Sequence, residues 1–454
     1  MASSFEQKWE QLQAFVTETL ARTGVPGAAV GVLHQGQVMA AGFGVTNVDH
    51  PLPVTPETLF QIGSITKTFT GTLIMMLAEA GELDLDAPVR TYIPDFRVQD
   101  ETVSRQATIR HLLTHTSGWV GDVFDDTGEG DDALARYVAN MRDTPQLAPL
   151  DRLWSYNNAG FSIAGYVIER VTGQPYQDVL QERLLGPLGM ESVYIRPTDV
   201  MTHRFAVGHQ VGEDGPQVAW PWPLPRAVWP AGGIVTSTPD LLRYARFHLE
   251  NGVTADGERL LSEEGAARMQ EPQVAVWGDE AWGLSWALNK VDGVREVSHG
   301  GGTVGQIAML LLIPAHDLAL ALLTNADRGS RMKIAVRKWV LEHFLDLTVE
   351  EPTPQGANED ELHAYVGRYT RPFMEIELGM LGGKLVGQAV PRGGFPTKGT
   401  PPPPAPTPMT LDLCEPDRLL VLDGPFKDAT GDVIRNPDGS IAWLRFGGRV
   451  HRRE

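Results

Sequence analysis

Residues 65–83, ITKTFTGTLIMMLAEAGEL, read as a long helix that is apolar or threonine-bearing around most of its circumference. A helix of that kind belongs in an interior, so the fold must bury it against other layers. It opens just after Gly63-Ser64 and carries a lysine, Lys67, in its first turn. Between Lys8 and Lys290 this is the only lysine, although arginine is frequent. A chain that avoids lysine has placed one a helical turn after a serine.

The segments on either side set the fold class. Residues 5–22 recur at helical spacing through Phe5, Trp9, Leu12, Phe15, Val16 and Leu20. The runs GAAVGVLHQ and QVMAAGFGV, joined near Gly36, read as a β-hairpin. Residues 85–200 are mostly helix and loop, with helical patterns at 106–114, 132–142, 159–171 and 176–185. Strand character returns at 294–298 and in a hairpin, 306–313 with 318–324, around a PAHD turn; a helix follows at 331–344. Strands at both ends with helices between predict an α+β fold: an antiparallel sheet flanked by helices, with a helical insertion at about 85–200. The segment VEEPTPQGANE (349–359) reads as a linker, which divides the chain into domains at 1–350 and 351–454. Beyond it, short β-like runs alternate with turn signals, predicting a small all-β, barrel-like domain. The tract GGFPTKGTPPPPAPTP (393–408) cannot be a central strand and is expected as a long exposed loop.

Composition removes several classes of function. A net charge of −19 over 454 residues argues against nucleic acid and anionic membrane as partners. The single cysteine, Cys414, cannot form an internal disulfide. The start, MASSFEQKWEQLQAFV, has neither a basic nor an apolar region, so no signal peptide is read and a cytoplasmic location is expected. The most apolar stretch, 309–323, is interrupted by Pro314, His316 and Asp317, so no membrane span is expected. No sequence feature specifies an oligomeric state.

Serine is a weak nucleophile until a base takes its proton. Residues i and i+3 on a helix share a face, so Lys67 can reach Ser64. A free lysine, with a pKa of about 10.4, is a cation and no base. Burial disfavours the charged form, and the positive end of a helix does the same. The residues around Lys67 offer no carboxylate to neutralise it, so the spacing points to an uncharged proton acceptor.

Two further motifs follow in order: Tyr156 and Asn158 in WSYNNAGF, and His299-Gly300-Gly301 in EVSHGGGTVGQ. With S-x-x-K, Y-x-N and H-x-G in this order, the chain resembles the serine β-lactamase-like and penicillin-binding-protein-like superfamily, over roughly residues 10–345. TIRHLLTHTSGW (108–119), PAGGIVTSTPDLLRYARF (230–247) and AWGLSWAL (281–288) extend the resemblance. It implies that Ser64 is the acylated nucleophile and that Lys67 and Tyr156 transfer protons. It implies that Asn158, His299, Gly301 and Gly302 bind substrate, with Asn158 on the acyl amide or on Lys67. Gly302 and Ser64 would supply the oxyanion N–H groups. The implied substrate is a small ester, amide or short peptide, with no cofactor or metal. His299 replaces the lysine of the lactam-hydrolysing members, so the H-x-G form resembles the D-aminopeptidase and esterase branches. β-Lactamase or penicillin-binding activity, acyl transfer, and a non-catalytic scaffold are the alternatives.

Three loops invite functional readings. Trp220, Trp222 and Trp229 form either an aromatic wall or loop packing. The acidic stretch DVFDDTGEGDD (122–132) is expected as a solvated loop. His111 and His115 stand four apart, but Leu112 occupies the place of the glutamate in a zinc motif, so they are expected to be structural.

Overall fold

The computed structural model describes residues 4–454. Residues 1–3, the start of the segment read above as lacking a leader, lie outside it. An antiparallel eight-stranded sheet runs in the order Gln37–Gly44, Gly27–His34, Leu318–Thr324, Ile307–Ile313, Val294–Gly302, Ala287–Val291, Glu280–Trp282, Val274–Trp277. Its central strands are apolar on both faces, as a sheet covered on both sides requires. In Ile307–Ile313, Ala308, Leu310 and Leu312 join the core around the buried helix, while Met309, Leu311 and Ile313 join the core on the other face.

The terminal helices Phe5–Thr23 and Gly329–Leu345 cover that second face. Phe15 stacks on Trp339 with ring centroids 5.8 Å apart. Ser4 and Gln7 close a capping box at the start of the first helix, and Gly24, with φ of 73°, ends it.

The helix Thr66–Glu79 lies under the opposite face, and 11 of its 14 residues are buried, Lys67 among them. Its threonine hydroxyls are satisfied inside the protein. Thr68 donates to the Ile65 carbonyl at 2.8 Å, Thr72 to that of Thr68 at 2.9 Å, and Thr70 to that of Pro230 at 2.7 Å. Threonine is therefore tolerated where isolated hydroxyls would be costly.

The insertion differs in detail from its periodicity. The pattern at 106–114 shortens to the helix Ile109–Leu113, and a separate helix, Glu101–Gln106, precedes it. Thr108 caps Ile109–Leu113 with His111, a local alternative to an earlier start. The helix Tyr176–Leu180 continues to Leu185 as a wider π turn.

Leu345 ends the last helix of the sheet domain, and Gly367 begins the first strand of a closed eight-stranded antiparallel barrel. The barrel closes where Tyr369 pairs with Arg453. Leu378, Leu385, Leu411, Leu419, Val433 and Leu444 fill its interior. The proline tract divides. Residues 401–405 are exposed as expected, but Phe395 folds inward against Phe124, with ring centroids 5.0 Å apart. An aromatic side chain that finds an apolar partner buries more area than a solvated loop gains. Among the described residues no helix is long and apolar enough to cross a membrane.

Candidate active site

Ser64 sits in a tight 3₁₀ turn, Gly63–Ile65, that leads directly into the buried helix. The turn is pressed against the end of the strand Val294–Gly302. A Cβ added at Gly301 would meet the Ile62 carbonyl oxygen at 1.8 Å, and one at Gly63 would meet the Gly302 nitrogen at 2.7 Å. Only glycine permits this approach, which sets the Gly302 backbone beside Ser64.

Lys67 is fully buried. Its Nζ lies 3.0 Å from Ser64 Oγ and donates to the Ala231 carbonyl at 2.6 Å. That carbonyl belongs to the PAGG segment, which Thr70 also anchors through Pro230. The rings of Tyr156 and Phe161 stand 5.0 and 5.6 Å from Nζ. Among the described residues no carboxylate pairs with it. Burial, with the nearby Arg449 charge, holds its pKa well below the ordinary lysine value, against a smaller opposite pull from Asp122.

Tyr156 faces this pair. Its hydroxyl oxygen is buried and has no hydrogen-bond partner among the described residues. Burial pushes its pKa up, while Ser64 and Arg449 favour the ionised form. The Tyr156 ring packs at a tilt against His115, centroids 4.3 Å apart, and His115 Nδ1 accepts the Asn157 N–H at 3.0 Å. Asn157, a residue the motif reading passed over, caps the helix Asn158–Thr172 by accepting from Gly160 N–H. It also donates to Ser117 Oγ and the Trp119 carbonyl. This ties the HTSGW segment to the YNN segment and fixes Tyr156 and Asn158 at a helix mouth. His115 thus orients backbone, and His111 bonds Thr108.

His299 is buried, and its Nδ1 lies 2.6 Å from the Gly300 carbonyl oxygen. Burial above all pushes its pKa down to about 3, so the imidazole is neutral. Its Nε2 has no partner among the described residues.

Ser64, Asn158 and Gly302 open onto a cavity of about 380 Å³. Phe124, Leu224 and Val228 form its wall on the sheet-domain side; Phe373, Phe395 and Phe446 come from the barrel. The tryptophans 220, 222 and 229 do not line it. Trp220 is 77% exposed, Trp222 packs on Phe205, and Trp229 is buried and donates to the Leu224 carbonyl.

The acidic segment is not uniformly solvated. Asp122 has a side chain only 3% exposed and pairs with Arg371 and Arg449 of the barrel. Asp125 pairs with Lys398, and Asp131 with Arg226. Asn158 donates to Asp122 Oδ1 at 2.8 Å, which assigns its amide to this cluster rather than to Lys67. Nothing in a stretch of aspartates and glycines marks which carboxylate meets distant arginines.

A two-faced sheet with a serine at the mouth of a buried helix, a lysine one turn in and a facing tyrosine defines the class of serine hydrolases built on the β-lactamase fold. The Beta-lactamase family profile matches residues 12–343, and the chain belongs to that family. It is 41% identical to penicillin-binding protein 4 of Amycolatopsis lactamdurans over 310 residues, 66% of this chain and 81% of that one. A crystal structure of SurE with D-Leu superposes with a TM-score of 0.75 at 27% identity, covering 98% of this chain and 99% of that one, barrel included. A class C β-lactamase from Rhodobacter sphaeroides aligns at a TM-score of 0.61 and 25% identity, over 74% of this chain and 99% of that one.

Proposed function

We propose that the protein cleaves ester or amide bonds of small substrates through a covalent acyl-enzyme on Ser64. The observation that carries this reading is the buried Nζ of Lys67, 3.0 Å from Ser64 Oγ and without a counter-ion. As a neutral amine it donates to Ala231 and keeps a lone pair for the serine proton. Ser64 Oγ attacks the carbonyl carbon, and the charge that develops on oxygen faces the Ser64 and Gly302 N–H groups. Collapse breaks the bond to the leaving group, which takes a proton by way of Lys67 and Tyr156. Water then attacks the acyl-enzyme, and the same groups act in reverse. Asn158, His299 and Gly301 border the acyl group. His299 stands neutral where lactam-hydrolysing members hold a cation, which weakens any grip on a substrate carboxylate.

The cavity beside Ser64, walled by phenylalanines and edged by Asp122, Arg371 and Arg449, suits an apolar acyl residue. The neighbour solved with D-Leu matches the whole chain, barrel included, which supports a D-configured apolar residue at that position. The 41% identical relative bears a penicillin-binding name, which supports lactam acylation as the second reading.

One screen separates these readings. Activated esters and p-nitroanilides of D-Leu, L-Leu, D-Ala and D-Phe are compared with nitrocefin by kcat/KM. We expect D-Leu and D-Phe derivatives to lead, and intact-protein mass to show one acyl or fluorophosphonate group on Ser64. Folded protein that takes no label would sink the enzymatic reading in favour of a scaffold; nitrocefin as the best substrate would favour the lactam reading.

The pH profile is a second expectation. The depressed value of Lys67 places the acid limb of kcat/KM below 10.5, and the rate falls there as Nζ gains a proton. A chemistry-limited rate that shows no acid limb at any pH where the protein stays folded contradicts a lysine base.

A further inference from the structure

The barrel enters the cleft at one carboxylate. Asp122 accepts Arg371 Nη1 at 2.6 Å from the first barrel strand. It accepts Arg449 Nε and Nη2, each at 3.2 Å, from the last strand, and Asn158 Nδ2 at 2.8 Å from the insertion. The Arg449 guanidinium lies 4.7 Å above the Tyr156 ring. The turn before Arg449 holds Tyr156 directly, because Tyr156 N–H donates to the Gly448 carbonyl at 2.8 Å. Val450 N–H donates to Ser155 Oγ at 3.3 Å, and Arg445 Nη1 to the Trp154 carbonyl at 3.4 Å. Trp154, Ser155 and Tyr156 are therefore gripped from the barrel side, and Asn158 is tied to the barrel through Asp122.

We infer that Asp122, Arg371 and Arg449 form a charged clamp by which the barrel positions Tyr156 and Asn158 and supplies the electrostatic field at the Ser64–Lys67 pair. Asp122 and Arg449 are positioning residues, since neither touches the reacting atoms. The inference rests on the roles of Ser64 and Lys67 given above.

The charge count gives the clamp a direction. One carboxylate faces two guanidiniums, a surplus of one positive charge beside the amine. Arg449 lowers the proton affinity of Lys67 and Asp122 raises it. Asp122 itself stays ionised: burial opposes this, but the two arginine charges and their hydrogen bonds outweigh it. The other titratable groups facing Lys67 are Tyr156 and His115 from the insertion and His299 from the sheet, with Lys333 behind His299. Both histidines are held neutral by burial, so the clamp carries the tunable charge.

The test compares kcat/KM against pH for wild type, Asp122→Asn, Arg449→Met and Arg449→Lys, in the full chain. Arg449→Met should move the acid limb up by about one pH unit, and Asp122→Asn should move it down by a similar amount. Both should lower the plateau, by about tenfold or more, through loosened Tyr156 and Asn158. Arg449→Lys keeps the charge, so its limb should return near the wild-type position while its plateau stays low. A structural role alone would lower plateaus without moving the limbs in opposite directions. Limbs that stay put in folded variants overturn the clamp while leaving the Ser64 reading intact. Should Asp122→Asn not fold, the contrast between Arg449→Met and Arg449→Lys decides alone. A wild type that fails to label at Ser64 overturns both.

Discussion

Lys67→Met is expected to lower kcat/KM by on the order of 10³–10⁴-fold while leaving the protein at least as stable as wild type. Methionine matches the length of the lysine stem and suits the apolar shell of Tyr156 and Phe161 rings. The variant loses two hydrogen bonds, one to the Ala231 carbonyl and one with Ser64 Oγ, each worth about 1 kcal/mol. It also loses the cost of stripping a proton from a lysine that would hold one when unfolded. That cost has a sign that can be checked. The folded value of Lys67 is depressed below 10.5, so between the two values the unfolded chain binds a proton that the folded chain does not. Wild-type stability therefore rises with pH across that window and is flat with respect to this group below it. Lys67→Met should lose that slope. Melting temperature and kcat/KM, measured on the same preparations across pH, test both halves. Retained activity removes Lys67 from the mechanism; a sharp loss of stability makes it a structural cation instead.

Tyr156→Phe is expected to lower kcat by about 10²–10⁴-fold with little change in KM. The substitution removes an oxygen near Ser64 Oγ, which keeps its bond to Lys67, so no buried group is left unsatisfied. The ring keeps its tilted packing on His115 and its contact with Arg449. Far-ultraviolet circular dichroism and melting should match wild type, which separates lost proton transfer from lost structure. Near-full activity in a folded Tyr156→Phe protein would assign proton delivery to Lys67 alone.

Much of the site was readable because its signals are local. Ser64 and Lys67 share one helical turn, and the apolar sequence around them already implied burial. Tyr156 and Asn158 are two apart at a helix start, and the glycines after His299 mark a strand end where backbones touch. The sheet hairpins were legible as short apolar runs and the barrel strands as short β-like runs between turn signals, whereas the strands Val274–Trp277, Glu280–Trp282 and Ala287–Val291 were not. Where the reading missed, either a local cap or a distant contact decided. The helix expected at 106–114 starts only at Ile109 because Thr108 and His111 form a cap. Phe395, in a proline tract that looked solvated, found Phe124.

By itself the sequence determined that a serine and a buried lysine sit one turn apart under a two-faced sheet, because side-chain period and burial are encoded in neighbouring residues. Only the tertiary structure decided what surrounds them. Asp122 meets Arg449 across 327 residues, and neither carries a periodic or compositional sign of the other. An ion pair needs only proximity, and proximity between a loop and a barrel hairpin exists once both domains have folded.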